Sequence, residues 1–530
     1  MRVKRTIAWG LVAGLAAIHA GEAGAAGGRT PLMEAARKGD TTAVRALIKQ
    51  QPASVNAADA DGTTPLHWAT DVDDLATAEM LIRAGANVKA ANRYGVTPLY
   101  SAALHGNAAM IELLLKGGAD VNAMLPEGET PLMTASRTGK VDAMRVLISH
   151  GANVNAVEKW KKQTAMMWAA HEGNVEAVKL LAEAGGKVND RSLSGFTPLL
   201  FAARQGQIGT IDALVKAGAN LDDTLPDGTS ALVTAVQGLN YEAAVALLKH
   251  GIDPNAAAQG WTALHQIAWS RRPQRGQNNP GQRPQGGVSS LDLAKALVAH
   301  GADINARQTK EPTADMEGRN DLNRYGATPL FLAARSVDVP LMETLLELGA
   351  DPFIANVDGD TPLMVAAGVG VYSQGESPGL PEESADAVKI LLDLGAPVND
   401  VDKNGETAMH GPAWRGSNEA AMLLLDAGAK LDVRNSRGWL PLTIAEGVYH
   451  NARVMMNKHT AKLLREQMVA RGLDTKDEGV DLGGAIRGEV EDDTEVDANN
   501  PSEIQRKRLE ELKRREEALK KIQEQGGRQP

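Results

Sequence analysis

A short phrase recurs along this chain at nearly constant spacing, and that recurrence limits its fold more than any other feature. Thr-Pro-Leu begins at Thr30, Thr64, Thr97, Thr130, Thr197, Thr328 and Thr361, and degenerate forms begin at Thr164, Ser230, Thr262, Thr407 and Leu440. The first eight starts are 34, 33, 33, 34, 33, 33 and 32 residues apart. A glycine stands two places before each start, from Gly28 to Gly438, except at Thr164, where Lys162 takes its place. About 21 residues after a start comes Gly-Ala or a close variant, as at Gly118-Ala119 and Gly218-Ala219.

Each element of the phrase has a local cause. Threonine supplies an N-cap hydroxyl, and proline fits the first helical position, where its missing N–H costs nothing. Leucine and the alanine pairs, such as Ala202-Ala203, form the buried face of a short first helix. A glycine turn such as His105-Gly106-Asn107 follows, and a second helix buries pairs such as Leu113-Leu114 and Leu391-Leu392. The Gly of Gly-Ala suits the left-handed position that ends that helix. Asp120-Val121-Asn122-Ala123 and the next glycine then form an extended turn. No single unit can bury its apolar face, so neighbours must stack.

Gly-x-Thr-Pro-Leu-His-x-Ala, seen intact across Asp61-Gly62-Thr63-Thr64-Pro65-Leu66-His67-Trp68-Ala69, resembles the ankyrin repeat. The likeness runs over residues 29–473, about twelve repeats, and implies an all-α solenoid of helix pairs with short β-hairpin fingers at one edge. It also implies a concave groove, lined by fingers and first helices, that binds other proteins. His67, His265 and His410 occupy the family's histidine position, where the resemblance implies a hydrogen bond to finger backbone.

Four insertions break the period, near 271–288, 308–322, 368–381 and 447–457. Three separate a first helix from its second and are expected opposite the fingers; the second lies within a finger and should overhang the groove. The first carries Arg271, Arg272, Arg275 and Arg283 with no acid in its Pro/Gly/Gln-rich stretch. It reads as a tolerated flexible loop or as a basic contact for an acidic partner. Residues 474–500 hold ten acids against Lys476 and Arg487 and read as an unfolded linker. Residues 501–525 read as a charged helix, solitary or weakly oligomerising, whose thin apolar stripe falls short of coiled-coil heptads.

At the other end, Arg2, Lys4 and Arg5 precede the apolar run Ile7–Ile18, and Ala23-Gly24-Ala25 offers a small-residue cleavage site. Residues 1–25 have the pattern of a secretory signal peptide, too short to span a bilayer comfortably. The expectation is an exported protein, periplasmic or secreted, similar to a group of exported bacterial ankyrin proteins. No later segment is long and apolar enough to cross a membrane.

Composition narrows the chemistry. With no cysteine there is no disulfide, thiolate metal site or cysteine nucleophile. A formal charge of −10 disfavours nucleic acid as a partner. The histidines at the repeat position lie tens of ångströms apart, so no metal is expected, and His150, His250 and His300 sit where they cap second helices. Gly375-Glu376-Ser377-Pro378-Gly379 matches a nucleophile elbow by letter, but it lies in an insertion between helices without the strand that the elbow needs. No enzyme activity and no cofactor are expected, and a monomer is the default.

The aromatics point to binding. Tyr94, Trp160, Phe196, Trp261, Tyr325 and Trp439 fall at finger tips, and Trp68, Tyr100, Trp168, Phe201, Trp269, Phe331 and Trp414 fall on first helices. Such rings dominate binding hot spots, though they also fill cores. The fifth repeat adds Lys159-Trp160-Lys161-Lys162, where the period lengthens to 34 and the finger glycine is missing. This tip is expected to be distorted and pushed outward, and to form the central contact for an acidic protein partner with Trp68, Trp168, Phe196 and Phe201 near it. The alternative reading is a structural or protective accessory factor for an exported enzyme.

Overall fold

The computed structural model describes residues 29–272, 286–310, 322–371, 379–450 and 453–476. The signal segment 1–25, most of the first insertion, residues 311–321 of the second, the Ser377 motif, the acidic linker beyond Lys476 and the helix expected at 501–525 lie outside the described residues. The described residues form a helical repeat solenoid. Twenty-four α-helices follow one another as twelve pairs, from Pro31–Arg37 with Thr41–Gln50 to Pro441–Glu446 with Lys458–Ala470.

The local signals act as their chemistry dictates. The Thr97 hydroxyl accepts a hydrogen bond from the N–H of Tyr100 at 3.2 Å, Pro98 opens the helix, and the pattern repeats at Thr130, Thr197 and Thr328. Gly118 takes φ +91° beyond the second helix, a conformation that an L side chain resists. First helices stack on first helices and second on second. One continuous core results, with Leu66, Leu99, Leu132, Met166, Leu199, Leu232 and Leu264 at equivalent places in successive repeats.

In most repeats an asparagine in the extended turn sews the repeat to the next, whereas Lys89, Asp222, Phe353 and Asp432 hold that place in repeats two, six, nine and eleven. Asn122 donates to the carbonyl of Gly151 at 3.2 Å and accepts from the N–H of Asn153 at 2.7 Å. Asn56, Asn155, Asn189, Asn255 and Asn399 make the same donation to Gly85, Gly185, Gly218, Gly301 and Gly428. Side chain therefore meets the helix-terminal carbonyls that would otherwise lack partners.

The fingers are hydrogen-bonded turns rather than paired strands; the one isolated bridge among the described residues joins Thr224 to Ser230. Each finger closes on itself, as where the N–H of Asn92 donates to the carbonyl of Val96 at 3.0 Å. Most also donate to their predecessors, as from Arg93 to Asp61 at 2.7 Å and from Leu193 to Lys161 at 2.7 Å, though not where proline stands at the donating position, at Pro126 and Pro226. The second insertion lies within such a finger, since Gln308 still bonds Ala327 and Gly326 across it. The fourth is a small antiparallel ribbon, Val448–His450 against Arg453–Met455.

Candidate functional site

A rule for the finger aromatics emerges from the turn. Residues just before the finger glycine face solvent: Tyr94 before Gly95 and Tyr325 before Gly326 are exposed. Residues just after it turn inward, because there the chain closes the finger and enters the helix cap. Phe196, Trp261 and Trp439 follow Gly195, Gly260 and Gly438; the first two are half-buried and Trp439 is 1% exposed. Trp439 packs on Trp414 with ring centroids 6.3 Å apart, and the Arg437 guanidinium lies 5.0 Å over its ring.

This corrects the expected aromatic stripe. Trp439, Trp68 and Phe201 are buried packing residues, not contact residues, and Tyr100, Phe331 and Trp414 are core. Trp168, Phe196 and Trp261 are partly covered by the molecule itself. The indole N–H of Trp168 donates to Gln163 Oε1 at 3.0 Å beneath the Arg137 guanidinium, 5.1 Å from its ring centroid. Trp261 stands edge-on to Trp269 with centroids 5.2 Å apart.

Trp160 is different: it is 71% exposed. The expectation that its finger is pushed out of line is also corrected. The finger stays in the row, with the N–H of Lys159 bonded to Glu127 O at 2.8 Å and Lys161 O accepting from Leu193. Lys162 supplies the left-handed conformation itself, at φ +56°, at some cost in strain. The extra residue is absorbed in the turn, which closes from the N–H of Glu158 to the carbonyl of Gln163, one residue longer than elsewhere.

Glu158 explains why this works. Several other fingers use a short polar side chain at that place: Asn92 Oδ1 accepts from Tyr94 and Val96 N–H, both at 3.0 Å. Glu158 is buried and one methylene longer, and its carboxylate accepts from Trp160, Lys161 and Gln163 N–H at 2.6, 2.7 and 3.0 Å. A carboxylate held by three backbone donors fixes the longer loop. Trp160, Lys159, Lys161 and Lys162 are thus exposed on a rigid tip, beside Leu193 on the next finger, which is 73% exposed. Leu193 escapes a search for aromatics, although its place two residues before Gly195 matches that of Trp160 before Lys162.

The histidines are structural. His67 Nδ1 lies 2.9 Å from Thr64 Oγ1 and its Nε2 3.0 Å from the Val96 carbonyl; His265 reaches the Ala327 carbonyl at 3.1 Å. Burial pulls His265 and His410 down to about 4, so both are neutral imidazoles near neutrality. His150 and His250 end their helices and reach Glu112 at 2.8 Å and Asp212 at 2.6 Å, while His300 bonds the Ala296 carbonyl. Among the described residues no cluster of three or more metal-ligating side chains occurs, and no helix is long and apolar enough to cross a membrane.

The first insertion's arginines were expected either in a free loop or on an acidic partner. Two of them are committed within the molecule. Arg271 forms a forked pair with Asp338, at 2.6 and 2.8 Å, and Arg272 a forked pair with Glu383, at 2.8 Å for both bonds. Arg275 and Arg283 lie outside the described residues.

Comparison with known proteins agrees with this architecture. Models described as "Ankyrin repeats (3 copies)" match residues 10–92, 71–158, 153–224 and 199–308, and "Ankyrin repeat" matches 325–357 and 358–403. The human Ankyrin repeat and SOCS box protein 6 is 30% identical over 168 residues, 31% of this chain and 31% of that protein. The zebrafish (Danio rerio) putative palmitoyltransferase ZDHHC13 is 34% identical over 139 residues, 24% of this chain and 20% of its own length. The chain thus spans less than a third of the length of these curated relatives. The crystal structure of the human ASB11 ankyrin repeat domain is 32% identical, with 42% of this chain and 98% of that one covered and a TM-score of 0.39.

Proposed function

The chain belongs to the ankyrin repeat family, whose repeats are protein–protein interaction modules, and from that premise we propose that it is a non-catalytic binding scaffold whose finger tips hold an acidic protein partner. The observation that carries this is the Trp160 tip. An indole left 71% exposed costs solvation, and here the buried Glu158 carboxylate fixes the backbone that carries it by accepting from the Trp160 N–H. Three lysines surround it and Leu193 extends its apolar surface. An apolar anchor ringed by cations fits an acidic rim around an apolar pocket. Tyr94 and Tyr325 extend the contact along the finger row. We also propose that the signal segment 1–25 exports the chain, so that the partner is met in the periplasm or outside the cell; the N-terminal sequence of the protein recovered from that compartment tests this.

The test of binding is titration calorimetry of the wild type and Trp160→Ala against the partner recovered with the mature chain. The substitution should weaken binding by about 2 kcal/mol or more and leave the thermal midpoint within about a degree, since the side chain packs on little. Equal affinities would overturn the reading. The accessory-factor role for an exported enzyme would then take its place.

A further inference from the structure

Three basic or protonatable side chains stand at one phase of the repeat, seven residues after a start: Arg137, His171 and Arg204 in repeats four, five and six. All three lie in the last turns of first helices and are at least partly exposed. Arg204 is exposed and stacks on two rings, its guanidinium carbon 4.4 Å from the Phe196 centroid and 5.4 Å from that of Phe201. No carboxylate pairs with it among the described residues. His171 stands edge-on to Phe201 at 6.0 Å with the Glu172 carboxylate 3.3 Å from its Nδ1, and Arg137 lies over Trp168, with Glu129 3.5 Å away. The Glu129 carboxylate also accepts hydrogen bonds from Tyr100 and Thr134, so the nearest anion to Arg137 is shared.

We infer that this row receives the acidic tail of a second copy of the chain, residues 489–495, so that the protein associates head to tail. The register supports it. Stacked helices sit about 8–10 Å apart, and a polyproline-type chain advances about 9 Å per three-residue turn. A ligand in step with the row therefore carries its anions at every third residue. Glu489, Asp492 and Glu495 have that spacing, within a stretch that also holds Glu491 and Asp493. An extended β-strand, with its period of two, would throw alternate acids to the opposite face.

Chain length decides between a chain's own tail and a neighbour's. Thirteen residues separate Lys476 from Glu489, and they span at most about 45 Å. Repeat six is six helix spacings from repeat twelve, about 50–60 Å, and the row continues to repeat four. A tail cannot comfortably lie on its own row, whereas a neighbour's tail meets no such limit. The contact is heterologous, so nothing closes it, and assemblies should lengthen with concentration.

The experiment is sedimentation velocity of the full mature chain over a concentration series. Wild type should associate at about 20 mM salt and dissociate at about 500 mM, where the screening length falls to a few ångströms. The tail variant Glu489→Gln/Asp492→Asn/Glu495→Gln and the row variant Arg137→Gln/Arg204→Gln should each weaken association at least tenfold, with unchanged circular dichroism. Combining Arg204→Glu with Asp492→Lys should recover part of the loss seen with Arg204→Glu alone. A wild type that stays monomeric at low salt, or association undiminished in either neutralised variant, overturns the inference. Binding of an outside partner through Trp160 is read separately by calorimetry, so failure here leaves the proposed function standing.

Discussion

Repeats one to seven and repeats eight to twelve are built from the same phrase but tied together differently. In the first block the period holds within two residues, and hydrogen bonds such as those from Asn122 to Gly151, Asn174 to Ser136 and Asn240 to Arg204 join neighbouring repeats. In the second block insertions break the period, and ties reach further. Arg271 in repeat eight pairs with Asp338 in repeat nine, whose carboxylate is fully buried. Arg272 skips a repeat to reach Glu383, 111 residues along the chain. Arg415 in repeat eleven donates back to the Arg335 carbonyl in repeat nine. The first helices of repeats ten and eleven also approach backbone to backbone, because any side chain at Gly411 would meet Gly368 N at 2.7 Å.

The difference concerns cooperativity. A solenoid with nearest-neighbour contacts behaves as a chain of coupled units that can fray one by one. Ties across two repeats make units eight to eleven gain or lose structure together. Strain at the turn between the two helices does not separate the blocks: Val337, buried under Gly379, sits at φ +47°, and the first block holds Asp73 at +56° and Leu239 at +57° at the same place. In repeats three to six that turn position is a glycine.

The largest expected effect comes from cutting the buried tie. Arg271→Ala leaves the Asp338 carboxylate buried without its cation and should cost about 3–5 kcal/mol. The matching control in the first block is Arg191→Ala, which breaks a pair with Asp223 whose side chains are 43% and 14% exposed, along with hydrogen bonds to the Gly195 and Thr224 carbonyls, and should cost about 1 kcal/mol. Urea unfolding followed by circular dichroism distinguishes them. If the blocks differ as described, Arg271→Ala separates a low-stability transition for the second block, while Arg191→Ala leaves the curve's shape unchanged. Similar small losses from both would erase the contrast.

A smaller effect is a pH dependence in the second block. Burial, reinforced by the neighbouring Asp402, pushes the Asp360 carboxyl up to about 8, and burial pushes Glu406 to about 7. Asp402 is raised too, chiefly by burial. An unfolded aspartate loses its proton near pH 4, whereas folded Asp360 keeps it until about 8. Between those values the folded state binds more protons, so stability falls as pH rises and levels off above about 8. His265 and His410 act oppositely at the acid end, where stability is lost as pH falls from about 6.5 toward about 4. Asp360→Asn keeps an amide able to bond Asn356 and removes the titration. It should therefore raise stability at pH 8.5 by about 1.4 kcal/mol or more, the free energy of a tenfold change in proton affinity, and flatten the fall between pH 5 and 8.5. A pH profile unchanged from wild type would mean that the carboxyl titrates as if exposed.

The smallest effect is expected from the first insertion. Replacing residues 273–285 by a short Gly/Asn turn, with Arg271 and Arg272 kept, should leave the thermal midpoint unchanged or slightly higher, because loop closure entropy grows only logarithmically with length. A large drop would show that the loop itself braces the block.

The sequence by itself determined everything that depends on a few neighbouring residues. Threonine caps, proline starts, glycine turns and the asparagine of the extended turn made helix pairs and fingers legible, because each satisfies its own backbone within about five residues or bonds the corresponding place one period on. The Trp160 finger was legible as an exception, through its missing glycine and extra residue. What only the tertiary structure decided is where side chains face and whom they meet. Trp439 and Trp160 are both finger-tip tryptophans, yet one packs on Trp414 and the other stands in water, because their places relative to the turn differ by a few residues. Glu158 reads as one more surface acid until the closed turn puts three N–H groups on it. Arg271 and Arg272 read as part of a basic loop until stacking brings them to carboxylates 67 and 111 residues away. Periodicity fixes which elements stack, but a side chain's partner depends on the placement of helices that no local signal encodes.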